Sequence, residues 1–362
     1  MPRFRPPTRW LASALTGAAA ALLFGCAHAD TLSASSDSTE ALASSSHHQI
    51  APKVLIISMF VPEAQVWWEP LKLTREIKVP GLSADNQLVR CNADSVCQVT
   101  TGMGHTNAAT SITALVFSGK FDLSRTYFLV AGIAGIDPHV STIGSATWAR
   151  YLVDFGIAHE IDAREMPSGW PSGYFGIGAK DPDSKPTFEY RTEVFKLNES
   201  LLQKALSLSA SAPLIDNDKA RAYRAQYLEP AARTRPSVLQ CDTAAGDTYW
   251  HGKYLGETAT RWVSVVTDGQ GKYCTTQQED NATYEALKRG SQAGLLDLQR
   301  VAVLRTASNF DRPHPGQTAY ESLAADSGGF PLATGNLLIA GRPLVDAIVD
   351  NWPAWRRGVP AN

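Results

Sequence analysis

The sequence predicts an α/β fold: a single domain on a central mixed, mostly parallel sheet flanked by helices. Three observations carry this. Apolar runs rich in Val, Ile and Leu recur at residues 52–60, 126–138 and 300–310, the pattern of strands covered on both faces. Stretches with helical apolar spacing stand between such runs, at residues 107–119, 192–209 and 275–294. Each buried run ends in glycine or polar residues, and in such sheets ligands sit beyond the carboxyl ends of the strands.

In chain order, "PKVLIISMF" is the first strand, and "EAQVWWEPLKL" is a short helix stopped near Pro70. "NQLVRC" and "VCQVTTG" are hairpin arms, and "NAATSITALVFSG" is a helix ending at Gly119. "TYFLVAGIAGIDP" is a strand running into a glycine-rich turn. "IGSATWARYLVDFG" reads as one long strand, and residues 163–192, rich in Gly and Pro, as a surface excursion. Residues 192–209 have the spacing of an amphipathic helix, and residues 214–236 also read as helical. "SVLQC" is a strand, followed by a helix near Trp250 and a strand at "RWVSVVTD". "TTQQEDNATYEALKRGSQAG" is a helix with a Thr cap and a Gly294 end. "RVAVLRTASNF" is the last strand, and "GNLLIAGRPLVDAIVDNWPAW" is a closing helix. The strand-end rule selects residues 59–63, 101–107, 131–137 and 306–311 as the place for a ligand.

The formal net charge is −2, so nothing suggests a nucleic-acid partner and none is expected. Arg3, Arg5 and Arg9, an apolar stretch at residues 11–24, and Ala27-His28-Ala29 together form a secretory signal peptide over residues 1–29. Its removal takes the formal charge from −2 to −5. The expected destination is the periplasm. The alternative is a lipobox, Leu23-Phe24-Gly25-Cys26, which would leave a membrane-anchored lipoprotein acylated at Cys26. Residues 30–50, rich in Ser and Ala, are a flexible lead-in, and residues 51–362 are the folded domain. No further transmembrane span is read, so the chain is not itself a channel or carrier.

Four cysteines follow the signal segment. Cys91 and Cys97 flank a short turn between hairpin arms and pair on that geometry; Cys241 and Cys274 then pair by elimination. A CxxC spacing is absent, so zinc is not expected.

Four segments carry more specific information. "TTGMGHTNAAT", "FLVAGIAGIDPHVSTIGSATWARYLVDFG", "YCTTQQEDNATYEALKR" and "VLRTASNFDRPHPG" occur together and in order. Together they resemble the purine nucleoside permease family, a branch of the nucleoside phosphorylase superfamily, over residues 52–355. The resemblance implies a purine nucleoside as ligand. It also implies cleavage of the N-glycosidic bond, by hydrolysis or by phosphorolysis with phosphate as co-substrate. The alternative it leaves open is a non-catalytic nucleoside-binding component of transport, working with a membrane partner.

Residue by residue, Glu63 lies just past a strand at a helix start and matches the superfamily's water-activating glutamate. Gly102 and Gly104 let backbone N–H groups approach an anion, but no Arg stands beside them, and Asn107 resembles the hydrolytic branch of the superfamily. An arginine from elsewhere, such as Arg150 or Arg191, or from a neighbouring subunit of a homo-oligomer, could complete a phosphate site. Gly132 and Gly135 flatten the backbone where base and ribose lie in the superfamily. Gln277, Gln278, Glu279, Asp280 and Asn281 crowd donors and acceptors suited to a ribose diol or a purine edge; Gln278, Asp280 and Asn281 are the chosen site residues, with Asp280-Asn281 matched to the superfamily's Met-Glu pair. Asn309 matches the residue that bonds purine N7, and Asp311 is the nearby acid. Phe175, Tyr249 and Trp250 are candidates for a stacking face. Arg305 sits inside a strand and needs an acidic partner if buried. No metal or organic cofactor is implied.

Overall fold

The computed structural model describes residues 49–361. The signal-peptide and lipobox readings, and the lead-in up to residue 48, lie outside the described residues. Ile50 donates its N–H to the Lys120 carbonyl at 3.0 Å and accepts from Asp122 N at 2.9 Å.

The first half of the chain gives β1 (Val54–Ser58), α1 (Val61–Trp68), β2 (Arg75–Lys78), β3 (Leu88–Cys91), β4 (Val96–Thr100), α2 (His105–Val116) and β5 (Tyr127–Ile136). Then come β6 (Ala146–Trp148), β7 (Tyr151–Asp154), a small ribbon of β8 (His159–Glu160) and β9 (Tyr174–Phe175), and β10 (Val194–Lys196). The second half gives α3 (Glu199–Ser209), α4 (Asp218–Arg224), β11 (Val238–Gln240), β12 (Asp242–Ala245), α5 (Lys253–Val266), β13 (Tyr273–Gln277) and α6 (Asp280–Gln292). β14 (Val301–Phe310), α7 (Ala319–Leu323), α8 (Gly329–Asp350) and α9 (Trp352–Trp355) close it.

The sheet is mixed, as the sequence predicts. Its centre is parallel: β5 lies between β1 and β14, β1 pairs with β4, and β12 pairs with β7 and β13. Antiparallel pairs join β2, β3 and β4 on one flank and β10 to β7 on the other, and β13 runs antiparallel to β5. Alternation divides the core between the faces. Leu55 and Ile57 of β1 join the cluster containing Ile112, Leu115 and Leu287, while Val54 and Ile56 join the one containing Trp67, Leu337 and Leu344. Helices α2 and α6 thus cover one face, and α1 and α8 the other.

Several local expectations change. The long strand at residues 143–156 is two strands, because the amide groups of Arg150 and Tyr151 both donate to Asp242 Oδ1 (3.0 and 2.8 Å) and turn the chain from β14 towards β12. Residues 194–196 are an edge strand, and Asn198 caps the helix only after them by accepting from Ser200 N. Helix over residues 214–236 shrinks to Asp218–Arg224. The strand read at "RWVSVVTD" is the second half of α5. Its Trp262 and Val263 are buried against Tyr151 and Val153, so tertiary packing overrides β-propensity there. Thr275 and Thr276 belong to β13, and α6 starts at Asp280 after its N-cap Glu279, with Gln277 Oε1 at the end of β13 accepting from Glu279 N and Asp280 N. The glycines of "AGIAGI" stay inside β5. Among the described residues, α8 is long and apolar enough to cross a membrane. It is a core helix here, with Leu332, Leu337, Leu344 and Ile348 buried on the sheet side.

Both disulfides are present, Cys91–Cys97 across the β3–β4 hairpin and Cys241–Cys274 between the β12 and β13 segments. Two disulfides fit an exported protein. Thiol titration of the denatured, unreduced protein lacking residues 1–29 is expected to find no free thiol, and four would contradict both bridges. The Cys241→Ala, Cys274→Ala pair is expected to cost roughly 2–4 kcal/mol of unfolding free energy.

Candidate active site

The sheet is open at one place. On one edge of β5, β1 pairs as far as Val130 and β13 begins only at Gly135. The intervening backbone, residues 131–134, has no strand beside it on that edge, since β14 occupies the other. Side chains fill the gap. Ile133 N donates to Glu63 Oε1 at 2.7 Å, and Ile133 O accepts from Arg305 Nη1 at 2.9 Å. A cavity forms over this gap.

Glu63 stands in the first turn of α1, and its Oε2 reaches back to accept from Met59 N at 2.8 Å. It is 2% exposed. Burial pushes its carboxyl from 4.5 up to about 7, against the opposing pull of Arg305 and the two N–H groups. Near neutral pH it can give or take a proton. Glycine is required at position 132 because a Cβ there would lie 2.3 Å from Met59 Cε, 2.5 Å from Arg305 Nη1 and 2.9 Å from Glu63 Oε1.

Arg305, 1% exposed, is paired with acids as its position inside β14 requires. It donates to Asp280 Oδ1 at 2.6 Å, to Asp280 Oδ2 at 3.2 Å and to Glu279 Oε2 at 3.3 Å. Glu279, also buried, receives Gly104 N on its Oε1 at 3.1 Å. The far end of the cavity is polar as well. Asn309 accepts from Ser308 Oγ at 2.9 Å, and Tyr249 OH stands 3.5 Å from its Oδ1. Asp311 receives Arg312 on both oxygens (2.7 and 3.0 Å) and Tyr273 OH on Oδ2 (2.7 Å). Burial raises the Asp311 carboxyl from 3.8 to about 6, with Arg312 pulling the other way. Met59, Phe60, Met103 and Ile133 supply an apolar wall.

The cavity brings together Glu63, Gly135, Gln278, Asn309 and Asp311 of the predicted site, and draws on all four predicted strand ends. Tyr249 and Trp250 also line it. Other expectations are corrected. Gly132 lies behind the wall, under Met59, Arg305 and Glu63. Gly102 and Gly104 form the turn that carries Met103 into the cavity without lining it themselves. Asn107 is spent on the Met103 carbonyl at 2.8 Å. Asp280 is turned to Arg305, and Asn281 Nδ2 is tied to the Thr192 and Glu193 carbonyls at 2.8 and 3.3 Å. The acidic residue of this segment that lines the cavity is therefore Glu279, two residues before the matched Asn281. Phe175 packs in the β8–β9 excursion, on His159 and Trp170. Arg150 is committed to Glu199 at 2.7 and 2.8 Å, and Arg191 lines a different cleft. Sequence reasoning placed Glu279 in the polar cluster at this helix start without choosing it as a site residue, did not single out Met103 or Thr248, and gave Arg305 no place in the site. The available signal for Glu279 was that it is the first acid after β13.

A folded-state pKa above the unfolded value means that the fold favours protonated Glu63. That contribution is whole below about pH 4.5 and is lost as pH rises through about 7. Measured by denaturant unfolding across pH, the stability of wild type relative to Glu63→Gln is expected to fall by roughly 3 kcal/mol from acid to mildly alkaline pH. A difference that does not change with pH would return Glu63 to an ordinary carboxylate.

Comparison with known proteins agrees with this geometry. The family model for purine nucleoside permease (NUP) matches residues 51–360. A probable purine nucleoside permease of Schizosaccharomyces pombe is 42% identical over 319 residues, covering 84% of this chain and 91% of its own. A purine nucleoside permease of Candida albicans is 40% identical over 307 residues, covering 83% of this chain and 76% of its own. Among solved structures, futalosine hydrolase of Helicobacter pylori superposes with a TM-score of 0.53 at 14% identity, over 82% of this chain and 98% of its own. The 5′-methylthioadenosine/S-adenosylhomocysteine nucleosidase of Neisseria meningitidis gives 0.51 at 14% identity, over 82% and 99%. These last two share the fold of this chain. The open sheet edge, the buried strand-end carboxylates and the match along nearly the whole domain lead to one assignment: the chain belongs to the purine nucleoside permease family.

Proposed function

We propose that this protein binds purine nucleosides in the cavity over the β5 gap and cleaves their N-glycosidic bond. The observation that carries the reading is Glu63, a carboxyl that burial raises to about 7 while two backbone N–H groups hold it in place, within a cavity that also holds Glu279 and Asn309. The family name supports the ligand class.

In hydrolysis, Glu63 takes a proton from water as the water oxygen bonds the anomeric carbon of the ribose. The C–N bond breaks, its electron pair leaves with the purine, and the purine takes a proton from solvent. Glu279 accepts from the ribose hydroxyls. Asn309 hydrogen-bonds the departing base, and the negative charge on Asp311, fixed by Arg312 and Tyr273, favours the proton's arrival there. Tyr249, at the cavity's mouth beside Asn309, offers the stacking face.

The name permease favours a second reading, in which the protein binds nucleoside without cleaving it and passes it to a separate membrane transporter. In either case the place of action proposed is outside the cytoplasm, in the periplasm, after removal of residues 1–29.

Incubation with inosine and with adenosine, followed by product analysis, separates the readings. Free base is expected from wild type. Glu63→Gln is expected to lower kcat about 100-fold or more with little change in nucleoside affinity, and Asn309→Ala to lower kcat/KM roughly 10- to 100-fold. Clear binding with no base released would leave the transport component standing and remove the catalytic one.

A further inference from the structure

The turn that opens α2 has the geometry of an anion site, and the protein fills it with its own carboxylates. Gly102 and Gly104 adopt φ of 86° and 87°, and α2 runs 12 residues from His105, so its first N–H groups face outward from a positive helix end. Two of those groups are occupied. Gly104 N donates to Glu279 Oε1 at 3.1 Å, and His105 N donates to Asp247 Oδ1 at 2.7 Å. Asp247 belongs to the segment just after β12, which also brings Thr248, Tyr249 and Trp250 into the cavity. The position is close-fitting: a Cβ on Gly104 would stand 3.1 Å from Asp247 Oδ1.

The charges of the cavity point the same way. Among the described residues, Glu63, Glu279 and Asp311 line it with Arg305 as the one cationic side chain. Arg305 is engaged by Asp280, Glu279 and the Ile133 carbonyl. A phosphate dianion entering beside α2 would meet two carboxylates where it needs donors.

We propose that Asp247, together with Glu279, closes this turn to phosphate and so makes water the acceptor of the ribosyl group. The proposal rests on the cleavage reading for its chemistry, although the closure of the turn stands independently of it. The C–N bond breaks as before, the new bond at the anomeric carbon is to water oxygen, and the products are free base and ribose. The same closure selects against ligands that would place a phosphate at this turn.

The test uses inorganic phosphate as probe, with two readouts. With inosine, wild type is expected to give base and ribose at a rate independent of phosphate. In a thermal shift assay without nucleoside, phosphate is expected to leave wild type unmoved and to stabilise Asp247→Ser, with an affinity about tenfold or more above any wild-type response. If Asp247→Ser does not fold, Asp247→Asn decides, since it keeps an oxygen acceptor for His105 N and removes the charge. Ribose 1-phosphate from wild type, or an equal phosphate response in wild type and variant, would overturn the proposal. Absence of cleavage in every buffer would count against the catalytic reading alone, and the thermal shift comparison would still decide whether Asp247 shuts the turn.

Discussion

The β5 strand leaves Ile133 without a strand neighbour on one edge, and its N–H and C=O must still be satisfied. Glu63 takes the first and Arg305 the second. Much of the site follows from this pair of hydrogen bonds. Arg305 can reach the carbonyl only because residue 132 has no side chain. A buried guanidinium needs acids, which come from Glu279 and Asp280 at the start of α6. Their position is set by Gln277, whose side chain accepts from the N–H groups of both and also receives Arg305 Nη2 at 3.2 Å. A gap in the sheet thus becomes a chain of buried polar contacts linking β1, β5, β13 and β14.

The arrangement divides labour by electrostatics. Asp280 and Glu279 hold Arg305, and Arg305 in turn limits how far burial can raise Glu63. Without that cation the carboxyl would be pushed higher still and would be a poorer base at neutral pH. At the opposite end, Arg312 does the same for Asp311, while Asp137, paired with Arg312 at 2.9 Å, pushes the Asp311 carboxyl further up. Each end therefore holds a buried carboxyl moderated by one buried arginine. The apolar wall between them, from Met59 to Ile133, suits a flat aromatic ligand more than a charged one.

Much of this was legible in the sequence. A buried run followed by Gly or polar residues marks a strand end, and the four strand ends chosen on that ground meet at one cavity. Glu63 and Asn309 were visible because each stands within a few residues of such an end. The rest depended on facts that linear order conceals. Glu279 was displaced by two positions because the matched Met-Glu pair was laid on Asp280-Asn281, while the helix starts later than a Thr cap would place it, at Asp280. Asp280 and Arg305 are 25 residues apart, and only the pairing of sheet and helix makes them partners. Asp247 sits in a polar loop with no periodicity, and its meaning appears only where it meets the first turn of α2. Phe175 failed for the opposite reason: an aromatic in a surface excursion finds partners within that excursion.

The central claim is that one cavity, framed by Glu63, Glu279 and Asn309, seats a purine nucleoside. A crystal structure with a non-cleavable purine nucleoside analogue tests this directly. The account predicts ribose hydroxyls on Glu279, the base edge on Asn309, and the anomeric carbon on the Glu63 side of the cavity above the Ile133 gap. An analogue bound in another cleft, or a cavity still empty at saturating analogue, would contradict it.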